Sequence, residues 1–84
     1  MELKDIRAIA TGGAQGMGAY FVRKIVEAGG KAAAADVNEA GLKELPAGVF
    51  TKKVDVSNSA ECAAFVKEAS DAMGGVNALI NNAG

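Results

Sequence analysis

The chain has 84 residues, with nine basic and ten acidic side chains and a formal net charge of −1, which allows one small domain. No basic stripe indicates a nucleic-acid surface, and no apolar run approaches the eighteen or so residues that span a membrane. The single cysteine, Cys62, excludes an internal disulfide, and the lack of histidine argues against a zinc site. Residues 1–5 carry no apolar signal-peptide segment, so we expect one cytoplasmic domain over residues 1–84.

The first half of the chain alternates between strand and helix patterns. Residues 6–11 are an apolar run that predicts a parallel strand buried on both faces. A helix is predicted from about Gly16 to Ala28, and Gly29-Gly30 ends it. Its packed face is expected to carry Tyr20, Phe21, Ile25 and Ala28. Residues 32–36 predict a second strand that is underpacked, because its run of alanines fills little of the core.

The second half repeats this alternation. Asn38–Leu45 predicts a short helix with Asn38 as its N-cap, and residues 49–54 predict a strand with the polar middle of a sheet edge. Asn58 and Glu61 form a candidate capping box for a third helix, which Gly74-Gly75 ends. The apolar face of that helix is expected to carry Cys62, Phe65, Val66, Ala69 and Met73. Residues 76–80 predict a fourth strand.

These elements predict an α/β fold of the order β-α-β-α-β-α-β. Right-handed crossovers make such a sheet parallel and place helices on both of its faces. The expected strand order is 3-2-1-4, which is a three-layer Rossmann-like half-fold. The fourth strand is then an apolar edge with unpaired backbone groups, and such an edge recruits another strand. We therefore expect a homodimer that pairs through this edge.

The stretch Thr11–Gly18, T-G-G-A-Q-G-M-G, joins the first strand to the first helix. Glycines let the backbone turn sharply and bring its amides close to a ligand. The first-turn amides of the helix lack internal partners and carry about half a positive charge from the helix dipole. The stretch therefore predicts a loop that binds pyrophosphate at the start of the helix.

The glycines at 12, 16 and 18 give the spacing T-G-x-x-x-G-x-G instead of G-x-G-x-x-G. Together with Asp36 after the second strand, Asp55 after the third and N-N-A-G at 81–84, this pattern resembles the N-terminal half of the short-chain dehydrogenase/reductase family. The resemblance covers the whole chain and implies a module that binds a dinucleotide cofactor. The cofactor-binding residues that it implies are Gly12, Gly13, Gln15, Gly16, Met17, Gly18, Asp36, Val37, Asp55, Val56, Asn81, Ala83 and Gly84.

Asp36 favours NAD over NADP as that cofactor. A carboxylate about twenty residues past a glycine loop can accept hydrogen bonds from both ribose hydroxyls, and its charge repels the extra phosphate of NADP. No basic residue stands at Gln15, Val37 or Asn38, where NADP-dependent members of the family often carry one. The alternative is a solvated aspartate at the strand end that caps the next turn.

The resemblance also suggests roles for Asp55 and Asn81. It implies that Asp55 contacts the adenine amino group, although an aspartate here could instead satisfy first-turn amides of the next helix. It implies that Asn81 braces the central sheet, while the backbone of 83–84 passes near the ribose. The Thr11 hydroxyl could tie the loop to a neighbouring strand end.

Catalysis is a separate matter from cofactor binding. In the family, a serine and a tyrosine–lysine pair that follow N-N-A-G carry out hydride transfer, and this chain has no match to them. Tyr20 and Lys24 spell Y-x-x-x-K, but they lie on the helix behind the glycine loop, so we assign no catalytic residue and expect no activity from the chain alone.

Two alternatives to an NAD-binding half-domain stay open. One is a non-catalytic folding or assembly fragment of a full-length enzyme, which self-associates through its exposed strand edge and has little cofactor affinity. The other is a methyltransferase that binds S-adenosylmethionine through a glycine loop and an acidic strand end. Thr11 and the N-N-A-G motif speak against the methyltransferase.

Overall fold

The computed structural model describes residues 2–81. Within them, strands and helices alternate after a short 3-10 turn at Leu3–Asp5 that the sequence did not predict. The elements are β1 (Arg7–Thr11), α1 (Gly16–Glu27), β2 (Lys31–Asp36), α2 (Glu39–Lys43), β3 (Phe50–Lys53), α3 (Ser59–Met73) and β4 (Ala78–Asn81). All strand pairs are parallel, in the order β3-β2-β1-β4, which confirms the predicted Rossmann-like topology. No helix in this described range is long and apolar enough to cross a membrane.

β2 is an inner strand made almost entirely of alanine, and Ala32–Ala35 are buried. Larger side chains from other elements cover it on both faces. On one face these are Ile9, Val54, Phe65 and Met73, and on the other Val22, Leu42 and Leu45. The small side chains of β2 therefore let the surrounding elements approach the sheet closely, while the volume of the core comes from its neighbours.

α1 packs through a different face from the predicted one. Its buried residues are Gly18, Val22 and Ile25, whereas the side chains of Tyr20 and Phe21 are 53% and 40% exposed. Val22 packs in one core cluster with Ala10 and Ala34 of the sheet, and the helical repeat brings the buried Gly18 and Ile25 to the same side. The prediction that Tyr20, Phe21 and Ala28 pack was wrong, because it relied on approximate helical spacing, and the observed packed face is rotated to the one that carries Val22.

β4 begins two residues later than predicted because Asn77 links the amino ends of two strands. Its side-chain oxygen accepts a hydrogen bond from the backbone N–H of Arg7 at 2.7 Å, and its side-chain amide donates to the Asp5 carbonyl at 2.9 Å. The parallel ladder between β1 and β4 then runs from Ala78 to Asn81. The predicted strand over 76–80 was therefore shifted relative to the observed one.

Exposed apolar side chains gather along β4. Leu79 is 69% exposed and stands in register with the buried Ile9, so it extends the apolar surface under α3 beyond the cover of that helix. Val66 is also exposed, contrary to prediction, and lies on the flank of α3 opposite Glu68, which bonds to Lys52 of β3. We call the exposed face of β4 that carries Leu79 the β4 side.

α3 begins with a side-chain cap that matches only half of the predicted box. Asn58 Oδ1 accepts hydrogen bonds from the N–H groups of Ala60 at 3.0 Å and Glu61 at 3.1 Å. The Glu61 carboxylate does not return to Asn58, as a capping box requires, but accepts the N–H of Asp55 at 3.2 Å. The N–H of Asn58 donates to the Asp55 carbonyl instead.

Asn58→Ala should destabilise the fold, because two first-turn amides of α3 lose their acceptor. The expected loss is about 1 kcal/mol, or about 4–8 °C in Tm for a domain of this size, measured by thermal unfolding. Ser59→Ala is the matched control, because the Ser59 side chain makes no hydrogen bond with another residue in the range 2–81, and its Tm should stay close to that of the parent. Equal Tm values for the two variants would contradict the role of Asn58.

Candidate functional site

The candidate site lies at the carboxyl ends of β1, β2 and β3, where the loops that follow these parallel strands meet. A cleft of about 80 Å³ opens there. Its lining residues are Gly12, Asp36, Val37, Val54, Asp55 and Val56. Five of these six were singled out from the sequence, although they come from three separate segments of the chain. Ligands of open parallel sheets bind at this edge, so the placement suits a ligand site.

The glycine loop lies in direct contact with the sheet. Gly12 and Gly16 have φ angles of 69° and 52°, a left-handed conformation that side chains disfavour. A Cβ atom at Gly13 would lie 2.7 Å from the Cβ of Ala34 and 3.1 Å from the Ala10 carbonyl oxygen. No larger residue fits between the loop and the sheet at this point.

Backbone and side-chain hydrogen bonds fix the entry to the loop. The N–H groups of Gly12 and Gly13 both donate to the Ala35 carbonyl, at 2.8 and 3.3 Å. The Thr11 hydroxyl lies 3.2 Å from Asn81 Oδ1 and 3.5 Å from the Ile80 carbonyl oxygen. The prediction that Thr11 ties the loop to a neighbouring strand end is confirmed.

Asp36 links the end of β2 to the glycine loop. The residue is only 8% exposed, and its two carboxylate oxygens accept different backbone amides. Oδ1 accepts the N–H of Asn38 at 3.0 Å, and Oδ2 accepts the N–H of Ala14 at 3.2 Å. The contact with Asn38 is the turn cap that the sequence offered as an alternative, and the contact with Ala14 was not predicted. Each oxygen keeps acceptor capacity for a hydroxyl group, because a carboxylate oxygen has two lone pairs.

The start of α1 differs from the starts of the other two helices in the range 2–81. Its N-cap residue, Gln15, makes no side-chain capping bond, and the first turn contains no acidic residue. By contrast, Asn38 caps α2 and Asn58 caps α3 through their side-chain oxygens. Gln15, Gly16 and Met17 are exposed, whereas Gly18 is buried toward the sheet. The positive end of the α1 dipole is therefore exposed at the end of the glycine loop, without a carboxylate from its own first turn.

Asp55 reaches the cleft from the third strand segment and holds the turn that leads into α3. Its Oδ1 accepts the Ser57 hydroxyl at 2.7 Å and the Ser57 N–H at 3.0 Å. These two hydrogen bonds, the side-chain bond first, lower the pKa of the Asp55 carboxyl below its ordinary value. Asp55 is therefore ionised near neutral pH and keeps acceptor capacity for a donor such as an amino group.

The remaining site residues divide between described and undescribed parts of the chain. Val37 and Val56 are exposed beside the cleft, and Asn81 stands at the end of β4 against Thr11. Ala83 and Gly84 lie outside the described residues. Sequence reasoning missed the backbone of Ala14 and the contact that Gly41 of α2 makes with it. A glycine inside a five-residue helix was the available signal, because glycine weakens helices.

Ser57→Ala should raise the pKa of the Asp55 carboxyl part of the way back to its ordinary value, because the backbone bond from Ser57 remains. A lowered carboxyl pKa stabilises the fold above the ordinary value, and this contribution is lost as the pH falls through the lowered pKa. The stability difference between variant and parent should therefore be present at neutral pH and vanish in acid. NMR titration of the Asp55 carboxyl carbon tests the pKa, with Ser59→Ala as the control, and an unchanged titration curve in Ser57→Ala would refute the assignment.

Comparison with known proteins places this geometry in a family. The family model described as short chain dehydrogenase matches residues 7–84. A similar protein is 3beta-hydroxysteroid dehydrogenase 2 of Eggerthella lenta, which is 40% identical over 84 residues. The alignment covers 92% of this chain and 32% of that relative. The chain thus spans about a third of the length of the curated relatives that it matches.

Solved structures share the fold of this chain, and each match covers most of this chain but only a smaller part of the solved structure. A 3-ketoacyl-(acyl-carrier-protein) reductase from Brucella melitensis, complexed with NADH, has a TM-score of 0.84 at 26% identity and covers 93% of this chain and 34% of its own. The C-domain of a bacterial malonyl-CoA reductase with NADP has a TM-score of 0.80 at 29% identity, covering 96% and 15%. These matches decide against the methyltransferase alternative. The chain belongs to the short-chain dehydrogenase family and corresponds to its N-terminal, Rossmann-like part.

Proposed function

We propose that this chain binds NAD in the cleft at the carboxyl ends of β1, β2 and β3. The observation that carries the proposal is the convergence of the glycine loop, Asp36 and Asp55 on one cleft. Membership of the short-chain dehydrogenase family supports a nicotinamide dinucleotide as the ligand class. When bound, its nicotinamide ring supplies the hydride acceptor or donor of the family's redox chemistry.

The described residues suit the three parts of the ADP portion of the dinucleotide, which are the pyrophosphate, the ribose and the adenine. The start of α1, whose first turn carries no acidic residue, would hold the pyrophosphate, and the loop that leads to it has room only for glycine at position 13. Asp36 would accept the ribose hydroxyls through lone pairs that Ala14 and Asn38 do not use. Adenine would lie in the cleft near Asp55, whose carboxylate oxygens would accept a hydrogen bond from the adenine amino group.

The preference for NAD over NADP rests on the charge of Asp36. Its carboxylate is buried at the edge of the cleft, where a second phosphate on the ribose would meet like charge. Lys53, the register partner of Asp36 on β3, could oppose this effect, but its ammonium group lies 3.7 Å from Glu39 Oε1. Because structural relatives include complexes with NADH and with NADP, their likeness does not choose between the two cofactors.

Titration of the chain with NADH and NADPH, followed by calorimetry, tests the proposal. NADH should bind about tenfold or more tightly than NADPH, which corresponds to about 1.4 kcal/mol. Asp36→Asn keeps an oxygen acceptor and removes the charge, so it should reduce this ratio toward one. The ratio of NADH to NADPH affinity is measured within one variant. A change in the loop caused by loss of the Ala14 contact then affects both ligands and cancels in the ratio.

Asp71→Asn is the matched control, because it removes one exposed carboxylate from α3, distant from the cleft, and should leave the ratio unchanged. An unaltered ratio in Asp36→Asn would refute the selectivity role. A folded chain that binds neither dinucleotide would favour the alternative of a folding or assembly unit.

We also propose that two copies of the chain associate through β4. The observations that favour this are the position of β4 at the sheet edge and the exposure of Leu79 on that strand. An unpaired strand offers N–H and C=O groups that a second copy can pair in antiparallel fashion around a twofold axis. The apolar β4 side would then lie near its own symmetry mate.

Light scattering at micromolar concentration tests this association. The parent chain should give the mass of a dimer, and Leu79→Lys should shift it toward the monomer, because the edge would then carry two like charges close together. Thr51→Lys adds the same charge to the exposed edge strand β3 and should leave the dimer intact. A well-folded parent chain that is monomeric would exclude this role for β4.

A further inference from the structure

α2 contains a glycine in its interior, and a glycine is costly in so short a helix. The helix spans only Glu39–Lys43, and Gly41 stands at its centre. Glycine in a helix interior is less favourable than alanine by about 1 kcal/mol. Gly41 does not have a positive φ angle, so backbone conformation does not require glycine here. The reason for the glycine must lie in its surroundings.

The space beside Gly41 is filled by the glycine loop. A Cβ atom on Gly41 would lie 2.9 Å from the carbonyl oxygen of Ala14 and 3.0 Å from the Ala14 Cβ. Both distances are shorter than side chains normally tolerate, and neither group is the end of a flexible side chain. The first turn of α2 therefore packs directly on the loop at Ala14, and only hydrogen fits at position 41.

Ala14 is also held from β2. Its N–H donates to Asp36 Oδ2 at 3.2 Å, and the other oxygen of the same carboxylate accepts the N–H of Asn38. Asn38 in turn caps α2 by accepting the N–H of Gly41 at 3.0 Å. Asp36, Asn38 and Gly41 thus form a connected support that holds Ala14 between its hydrogen-bonded amide and its packed carbonyl.

We propose that Gly41 is a positioning residue for the dinucleotide pyrophosphate, acting through Ala14. This inference rests on the proposed function. Ala14 lies between Gly12 and Gly16, which both have left-handed backbone angles. Because glycine has no Cβ, the loop backbone can adopt more than one conformation at these two positions. The close packing of α2 on Ala14 sets how far the loop stands from the sheet, and hence where the first amides of α1 point. A Cβ at position 41 displaces the loop from the pyrophosphate and leaves the cleft near Asp55 in place.

Gly41→Ala tests this role with two ligands. NADH, which contains the pyrophosphate, should bind about tenfold more weakly than to the parent chain. Adenine, which lacks both the phosphates and the ribose that Asp36 would bind, is followed by NMR shifts and should bind within about twofold of the parent. A merely structural role would weaken both ligands together. Adding Ala14→Gly removes the Cβ contact at 3.0 Å and should restore part of the NADH affinity.

Ala40→Gly is the matched control, because Ala40 is the exposed neighbour of Gly41 in α2. Ala40→Gly lowers the helix propensity of α2 by about 1 kcal/mol, whereas Gly41→Ala raises it by a similar amount, and the change at position 40 adds no atom toward the loop. It should leave the affinities for both ligands unchanged. An equal loss of NADH affinity in Ala40→Gly would show that α2 tolerates no change at either position, and it would overturn the specific role of Gly41.

The remaining outcomes are also decisive. Equal NADH affinity in Gly41→Ala and the parent, or equal losses for NADH and adenine, would overturn the positioning role. If Gly41→Ala does not fold, the double variant with Ala14→Gly should fold again, and failure of that rescue would overturn the proposal. A parent chain that binds neither NADH nor adenine would instead refute the proposed function, which separates the two failures.

Discussion

The site depends on how closely the glycine loop can approach the sheet beneath it. Two small residues allow this close approach, because Gly13 in the loop carries no side chain and Ala34 of β2 carries only a methyl group. Replacing either by a larger residue would push the loop away from the strand ends, because the interior is close-packed and has little room to yield. The alanines of β2, which look like a weakness when counted as core volume, are thus part of the site.

Asp36 shows how a single side chain can serve the fold and a ligand together. Its carboxylate is buried enough to need partners, and two backbone amides supply them. One amide belongs to the loop and the other to the turn before α2, so the same charge holds both in place. Ligand recognition at Asp36 therefore acts on a group whose position the fold already fixes, which lowers the ordering cost of binding.

Much of the fold could be predicted because the alternation of apolar runs and glycine turns is strong along the chain. Element order, parallel pairing and strand order followed from that alternation and from crossover handedness. The packed face of α1 could not, because approximate helical spacing pointed to Tyr20 and Phe21, whereas the face that packs on the sheet alanines is the one that carries Val22. Likewise, the support of Ala14 by Gly41 joins residues distant in sequence and leaves no local pattern beyond an unexplained glycine.

The pairing of β1 with β4 also constrains the order of folding. Arg7 and Asn77 are hydrogen-bonded across a separation of 70 residues, whereas β1 meets β2 through the short α1 crossover. Closing so long a segment costs entropy before its contacts form, so such pairing is slow. During synthesis β1 therefore has a partner on one side only, and its second edge stays open until the last described strand has left the ribosome.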